Sequence, residues 1–143
     1  MTADDPLLDL ARTEAPEIAP YLVADDQSML SLPRCGGCGH LQWPPRPFCA
    51  QCGGGDFEAA SVVPRGELYS WTTTHRPPTA DLATDVPYTV VLVTLLDVPG
   101  RPRLLGRLDD EARSDDLVIG LAMRGVRHQR DNGLPLLVWS VDD

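Results

Sequence analysis

The chain has 143 residues, of which 43% are hydrophobic, and this size allows one folded domain with one main hydrophobic core. Its net charge of −9 disfavours nucleic acid as a partner, because such binding rests on neutralising phosphates, and the lack of lysine excludes Schiff-base chemistry on a side-chain amine. No stretch approaches the roughly 20 apolar residues of a membrane-spanning helix, and the acidic start is unlike a signal peptide, so we expect a cytoplasmic protein.

Residues 1–30 form an acidic section with seven carboxylate side chains and one arginine. Two short apolar stretches in it, residues 6–11 and 20–24, are candidate helices, and both are too short to be stable alone in water. We therefore expect an N-terminal arm with short helices, which is either loosely attached to the domain or docked on a partner. No role is assigned to residues 1–18.

Residues 31–58 contain four cysteines, Cys35, Cys38, Cys49 and Cys52, in the pattern C-x2-C-x10-C-x2-C. Each pair can curl into a turn that directs both sulfurs at one point, so the two turns predict a tetrahedral cage for one structural zinc ion. Iron in a rubredoxin-like site is the minor alternative. Four thiolates leave no open position for catalysis, and disulfides are disfavoured because nothing marks the chain as secreted.

Residues 59–143 change to strand-like patterning. Five β-rich stretches are separated by Gly, Pro and Asp turns, and they are residues 67–74, 88–96, 103–108, 122–128 and 134–141. Residues 109–120 suit a turn or a short helix. The set predicts a mainly β protein with a five-stranded Greek-key barrel, the OB fold, in which Gly66 and Gly120 allow a sharp strand start or bend.

No nucleophile, phosphate loop or carboxylate pair in the sequence resembles a catalytic centre, so we expect no enzyme activity from the chain alone. His75 and Arg76 follow the first barrel strand and could meet a ligand there. His128 lies among Arg124, Arg127 and Arg130, which together suggest a basic patch at a strand end.

Several motifs resemble the DUF35 family of zinc-ribbon and OB-fold proteins from about residue 21 onward. The stretches that carry the resemblance are residues 33–39, 41–46, 49–53, 66–72, 86–88 and 119–120. The resemblance implies a non-catalytic accessory subunit that docks on a thiolase-superfamily enzyme, either a thiolase-type acyltransferase or an aldolase of steroid side-chain degradation within lipid metabolism. A MaoC-like hydratase is a further implied partner, and an acyl-CoA channel at the shared interface is the implied site.

The resemblance thus points to two candidate surfaces that face the partner or CoA. One is a rigid, exposed segment of the loop between the two cysteine pairs, and the other is the turn after the first barrel strand. Their residues are Trp43, Pro44, Pro45, Arg46, His75 and Arg76. The alternative function is a single-stranded nucleic-acid-binding module, since ribbons and OB folds recur in such proteins. The sequence leaves open which acyl-CoA and pathway are involved, the identity and stoichiometry of the partner, and whether the chain contacts CoA directly.

Overall fold

The computed structural model describes residue 21, residues 28–129 and residues 135–142. The predicted helices at 6–11 and 20–24 lie outside this part of the chain except for Tyr21, so the described residues give no support for a helical arm. They contain seven strands: β1 (Leu30–Cys35), β2 (Phe57–Val62), β3 (Arg65–Thr74), β4 (Tyr88–Thr94), β5 (Arg103–Leu108), β6 (Ala122–Gln129) and β7 (Pro135–Val141). Within the same residues, no helix is both long and apolar enough to cross a membrane.

Strands β1 and β2 form an antiparallel hairpin that carries the ribbon. Their register runs from Leu30 opposite Val62 to Cys35 opposite Phe57. Because side chains alternate across a strand, Leu30, Leu32, Ala60 and Val62 all turn to one buried face. Strand β2 spans the predicted ribbon–barrel boundary between residues 58 and 59 and pairs with the ribbon throughout.

Strands β3 to β7 close into a barrel in the order β3-β4-β5-β7-β6, which confirms the predicted five-stranded OB fold. All pairings are antiparallel except β5 with β7, which are parallel and joined at only two residue pairs. Two short 3-10 helices, Ala80–Leu82 and Ser114–Asp116, occupy the connections after β3 and β5. The second confirms the expected turn or short helix in residues 109–120.

The ribbon and the barrel share one hydrophobic core. Buried side chains of the hairpin join the barrel interior in a single cluster that includes Leu32, Val62, Leu68, Val93 and Trp139. The ribbon is too poor in large apolar residues to form a core of its own, so its apolar face is stabilised against the barrel. This packing fixes the position of the cysteine turns relative to the barrel strands.

Two glycines have the roles predicted from the sequence. A Cβ on Gly66 would collide with the carbonyl oxygen of Thr94, so only glycine allows strands β3 and β4 to approach this closely. Gly120 has a φ of 91°, a left-handed conformation that favours glycine. It ends the connection from which β6 begins.

Candidate metal centre and adjoining groove

The two cysteine pairs form turns with the same hydrogen-bond pattern. The backbone N–H of Gly39 donates to the carbonyl of Cys35 at 2.9 Å, and the N–H of Gly53 donates to the carbonyl of Cys49 at 2.8 Å. Both glycines are left-handed, with φ of 78° and 80°. Since glycine adopts this conformation without steric cost, the glycine after each pair permits the turn that aims two sulfurs inward.

The four sulfurs converge as a metal cage requires. All four lie within 4.8 Å of one another, with 3.5 Å between Cys35 and Cys52 and 3.6 Å between Cys38 and Cys49. A tetrahedral ion bound at about 2.3 Å from each sulfur would separate the sulfurs by about 3.8 Å, close to these distances. The chemistry of the donors and their spacing therefore fit a closed structural metal site.

The hydrogen bonds around the thiols favour negative charge on the sulfurs. The N–H of Gly37 points to the sulfur of Cys35 at 3.4 Å, and that of Gln51 to the sulfur of Cys49 at 3.3 Å. Desolvation raises the pKa of Cys49. The backbone N–H groups of Cys52 and Gln51 and the neighbouring thiols lower it by more than desolvation raises it, so the pKa falls to about 7.

The pKa of Cys38 differs from that of Cys49. The backbone N–H of His40 lowers its pKa, while desolvation and the surrounding thiols raise it to about 12. Four thiolates at this spacing repel one another, so a cation is needed before all of them can lose their protons.

Gln42 shapes the loop between the two turns, residues 41–48, which we call the knuckle loop. Its buried amide nitrogen donates to the carbonyl of Phe48 at 3.2 Å, and its amide oxygen accepts the N–H of Ala50 at 3.0 Å. The side chain thus spans the loop from inside and ties it to the second cysteine turn. Sequence reasoning missed this residue, because a single glutamine carries no pattern.

The predicted exposed segment of the knuckle loop is only partly at the surface. Pro44 and Arg46 are exposed, whereas Pro45 is buried, which corrects its assignment to a contact surface. Trp43 is half-buried against the core, and its ring meets the ring of Tyr21 edge-on at 6.4 Å. The indole therefore fills the ribbon–barrel joint and shows only part of its surface to solvent.

A groove of about 280 Å³ lies where the knuckle loop meets the turn between β4 and β5, and we call it the junction groove. Arginine side chains from both sides line it. The knuckle loop and its flank contribute His40, Trp43 and Arg46, the β4–β5 turn contributes Arg101 and Pro102, and the first residue of β5 contributes Arg103. Arg101 and Arg103 were not singled out from the sequence, because only the fold brings them near Arg46.

His75 and Arg76 are exposed but lie at the other end of the barrel. They follow Thr74, which pairs with Tyr88 at the start of β4, whereas the junction groove adjoins the end of β4 at Thr94. The length of β4 separates the two regions by roughly 20 Å. The predicted surface residues therefore do not form one site.

The structure describes three of the four residues of the predicted basic patch around His128. Arg127 is buried, Arg124 and His128 are exposed, and Arg130 lies outside the described residues. In the part of the chain that the structure describes, the four cysteines are the one group of His, Cys, Asp and Glu side chains placed to hold a metal ion.

Two family models match adjoining parts of the chain. The model described as ChsH2, rubredoxin-like zinc ribbon domain, matches residues 27–58. The model described as ChsH2, C-terminal OB-fold domain, matches residues 60–128. The matched ranges correspond to the ribbon and to most of the barrel.

Of three curated relatives, two have names from acyl-CoA metabolism and one is named a scaffold protein. The benzoylsuccinyl-CoA thiolase subunit BbsA of Thauera aromatica is 31% identical over 134 residues, which cover 92% of this chain and 82% of that protein. A DUF35 domain-containing scaffold protein of Pyrococcus furiosus is 29% identical over 98 residues, covering 68% of this chain and 71% of that protein. A probable enoyl-CoA hydratase alpha subunit of Thermomonospora curvata is 36% identical over 77 residues, and the match covers 54% of this chain but only 24% of that subunit.

A solved structure titled Ltp2-ChsH2(DUF35) aldolase has the same fold. The TM-score is 0.66 at 26% sequence identity, and the match covers 99% of this chain and 96% of the solved one. The likeness thus extends over both the ribbon and the barrel.

Proposed function

This chain belongs to the DUF35 family, in its form with a ChsH2-type zinc ribbon and OB fold, and we propose that it is a non-catalytic accessory subunit that docks on a thiolase-like enzyme. The observation that carries the proposal is the closed four-cysteine cage, which leaves no open metal position for chemistry. The relatives named as a thiolase subunit and as scaffold proteins support the same role. The chemistry then belongs to the partner.

The partner is a thiolase-superfamily protein that acts either as an acyltransferase or as a carbon–carbon lyase. The relative named as a thiolase subunit supports the first activity, and the solved aldolase supports the second. A place in steroid side-chain degradation is implied only by the resemblance to the family. A MaoC-like hydratase is a further partner, supported by the relative named as a hydratase alpha subunit. The assembly works in the cytoplasm, where the four free thiols stay reduced until they bind metal.

The metal is zinc in preference to iron. A closed four-sulfur cage suits zinc without any redox role, and the bound ion supplies only the cross-link that holds the two cysteine turns together. Cys35 and Cys49 are buried beside the shared core, while Cys38 and Cys52 face solvent. Elemental analysis of the purified chain should give one zinc per molecule, and one iron with a rubredoxin-like spectrum would overturn the zinc assignment.

The acyl-CoA of the complex is bound at the interface shared with the partner, and the junction groove is a part of that interface that contacts the partner. Trp43, Pro44 and Arg46 offer an aromatic edge, a rigid backbone and a guanidinium on one side of the groove. His75 and Arg76 form a separate surface at the far end of the barrel, and we assign them to partner contact away from the acyl-CoA. Pro45, being buried, supports the loop from inside.

Co-expression tests this function. The chain is produced with each thiolase-superfamily protein encoded in the same genome, and the mixtures are separated by size exclusion with mass measurement. We expect one of these proteins to elute with the chain as a single complex of defined mass. Clean separation from every one of them would contradict the accessory role.

A further inference from the structure

Three arginines of the junction groove have no carboxylate partner among the described residues. They are Arg46, Arg101 and Arg103, and they come from two elements more than 50 positions apart in the sequence. Outside the groove, four described arginines form ion pairs, Arg34 with Glu58, Arg65 with Asp142, Arg107 with Asp85 and Arg113 with Asp115, whereas the exposed Arg76 and Arg124 are separate single residues without an ion pair among the described residues. In a chain of net charge −9, three uncompensated guanidiniums at one place are a distinct positive surface.

Two of these arginines lie two positions apart along the chain, Arg101 in the β4–β5 turn and Arg103 as the first residue of β5. Arg101 has a φ of 44°, a left-handed conformation that is unfavourable for a residue with a side chain, and it follows the left-handed Gly100. The turn is attached to the knuckle loop, because the N–H of Leu41 donates to the carbonyl of Pro99 at 3.2 Å. Strained backbone kept in place by its surroundings is typical of functional surfaces.

Arg103 links the groove to the outer face of the barrel. Its guanidinium lies over the ring of Tyr69 at 3.9 Å from the centroid. Tyr69 is the extra residue of a β-bulge in β3, between Leu68 and Ser70, and the side chain is 47% exposed. Leu105, two positions after Arg103 on β5, points to the same face and is 63% exposed.

We propose that these five residues, Arg46, Arg101, Arg103, Tyr69 and Leu105, form a docking surface for an acidic segment of the thiolase-like partner. This inference rests on the proposed function and adds the chemistry of the contact. Aspartate and glutamate carboxylates of the partner bind the three guanidiniums, and an apolar side chain beside them packs on Leu105 and Tyr69. Arginine and tyrosine around an apolar centre are the residue types that dominate protein interfaces.

A protein segment fits this surface better than a small anion does. All three arginines are exposed and the groove is open, so a lone phosphate there would keep most of its water and gain little. A segment that also covers Leu105 and Tyr69 removes apolar surface from water, which a small anion cannot do. Charge complementarity then aligns the two proteins and raises their association rate.

The test reverses single charges on the full chain and measures binding to the partner that co-elutes with the wild type. Arg46→Glu and Arg101→Glu are the test variants, and Arg113→Glu is the control, since Arg113 is exposed in the connection between β5 and β6, outside the groove. We expect each test variant to raise the Kd about tenfold or more at low salt. The Kd of the control should stay within about twofold of the wild-type value. Metal content and melting temperature, unchanged in all three variants, show that they are folded.

Two results would overturn this inference while leaving the accessory role intact. One is a complex whose Kd is unaffected by both test variants. The other combines two observations on Arg101→Glu. Inorganic pyrophosphate binds the free wild-type chain saturably and does not bind this variant, yet the variant forms the complex with the partner as the wild type does. That pattern marks a small-anion site. If the wild-type chain binds none of the candidate partners, the accessory role and this inference both fall.

Discussion

The backbone N–H of Leu41 donates a hydrogen bond to the carbonyl oxygen of Pro99 at 3.2 Å, and through it the knuckle loop is joined to the β4–β5 turn. The metal cage holds one end of this connection and the barrel holds the other. Loss of the metal would therefore disturb the groove as well as the ribbon. The proposed docking surface would then depend on the metal for its position.

The first prediction concerns the metal ligands. Cys35→Ser removes one of four sulfur donors, so we expect the purified variant to lose its metal and the ribbon to unfold, while circular dichroism still shows the β-structure of the barrel. Because the hairpin shares its core with the barrel, the melting temperature should also fall. Ser31→Ala, on the same strand but outside the cage, is the control. Unchanged metal content in Cys35→Ser would refute the four-ligand assignment.

The second prediction separates backbone strain from steric collision in the turn that carries Arg101. Gly100 and Gly120 both have a φ of 91°, but only at Gly100 would a Cβ meet other atoms, namely the carbonyl of Leu41 and the ring of His40. We expect Gly120→Ala to lower the free energy of unfolding by about 1 kcal/mol and Gly100→Ala by about 3 kcal/mol in urea titrations. Equal losses of unfolding free energy would mean that contact between the turn and the knuckle loop adds no steric cost at Gly100.

The third prediction concerns the closure of the barrel at β5 and β7. The carboxylate of Asp109 accepts the backbone N–H of Glu111 at 3.1 Å and the hydroxyl of Ser140 at 2.9 Å, next to a parallel pairing of only two residue pairs. These bonds, that of Glu111 first, lower the pKa of Asp109. Asp109→Asn should therefore reduce stability at neutral pH by about 1 kcal/mol.

The pH dependence of this effect has a fixed sign. A carboxyl group whose pKa is lower in the folded state stabilises the protein above its unfolded pKa, and that contribution is lost as the pH falls through the folded value. The stability difference between the wild type and Asp109→Asn should thus shrink on acidification. Asp110→Asn, at the exposed neighbour, serves as the control and should change stability by less than about 0.5 kcal/mol at any pH. A difference that persists in acid would rule out the charge of Asp109 as its cause.

The fourth prediction concerns the space around Trp139, which is fully buried. A Cβ on Gly106 would come within 2.5 Å of the indole and 2.6 Å of the backbone oxygen of Leu137, whereas a Cβ on Gly125 would meet only side chains, at 3.1 Å. We expect Gly106→Ala to cost about 3 kcal/mol and Gly125→Ala about 1 kcal/mol in thermal or urea unfolding. Equal losses, or the reverse order, would show that the strands around Gly106 can move apart to accept a side chain.

Much of the fold follows from local patterns. The spacing of the four cysteines predicts their site. The five barrel strands lie between Gly, Pro and Asp turns, and β4 is also rich in β-branched residues, so each strand is predicted within a few residues of its observed position. The strands of the ribbon were not predicted individually. β1 contains Pro33 and β2 contains two alanines, and both are held in place by pairing across more than 20 residues.

The candidate surface depends on tertiary contacts and was predicted only in part. Arg46 was identified from the sequence, but Arg101 and Arg103 reach the groove only because the β4–β5 turn folds onto the knuckle loop. His75 was grouped with Arg46 although the barrel keeps them at opposite ends. Such associations depend on strand register, which a single sequence does not reveal.

Titration of the chain into its co-eluting thiolase-like partner, with turnover of an acyl-CoA substrate as the readout, tests the accessory role most directly. The account predicts that the isolated chain has no activity and that the partner's turnover rises with added chain until it saturates. Turnover by the chain alone, or a partner whose rate does not change on addition of the chain, would contradict it.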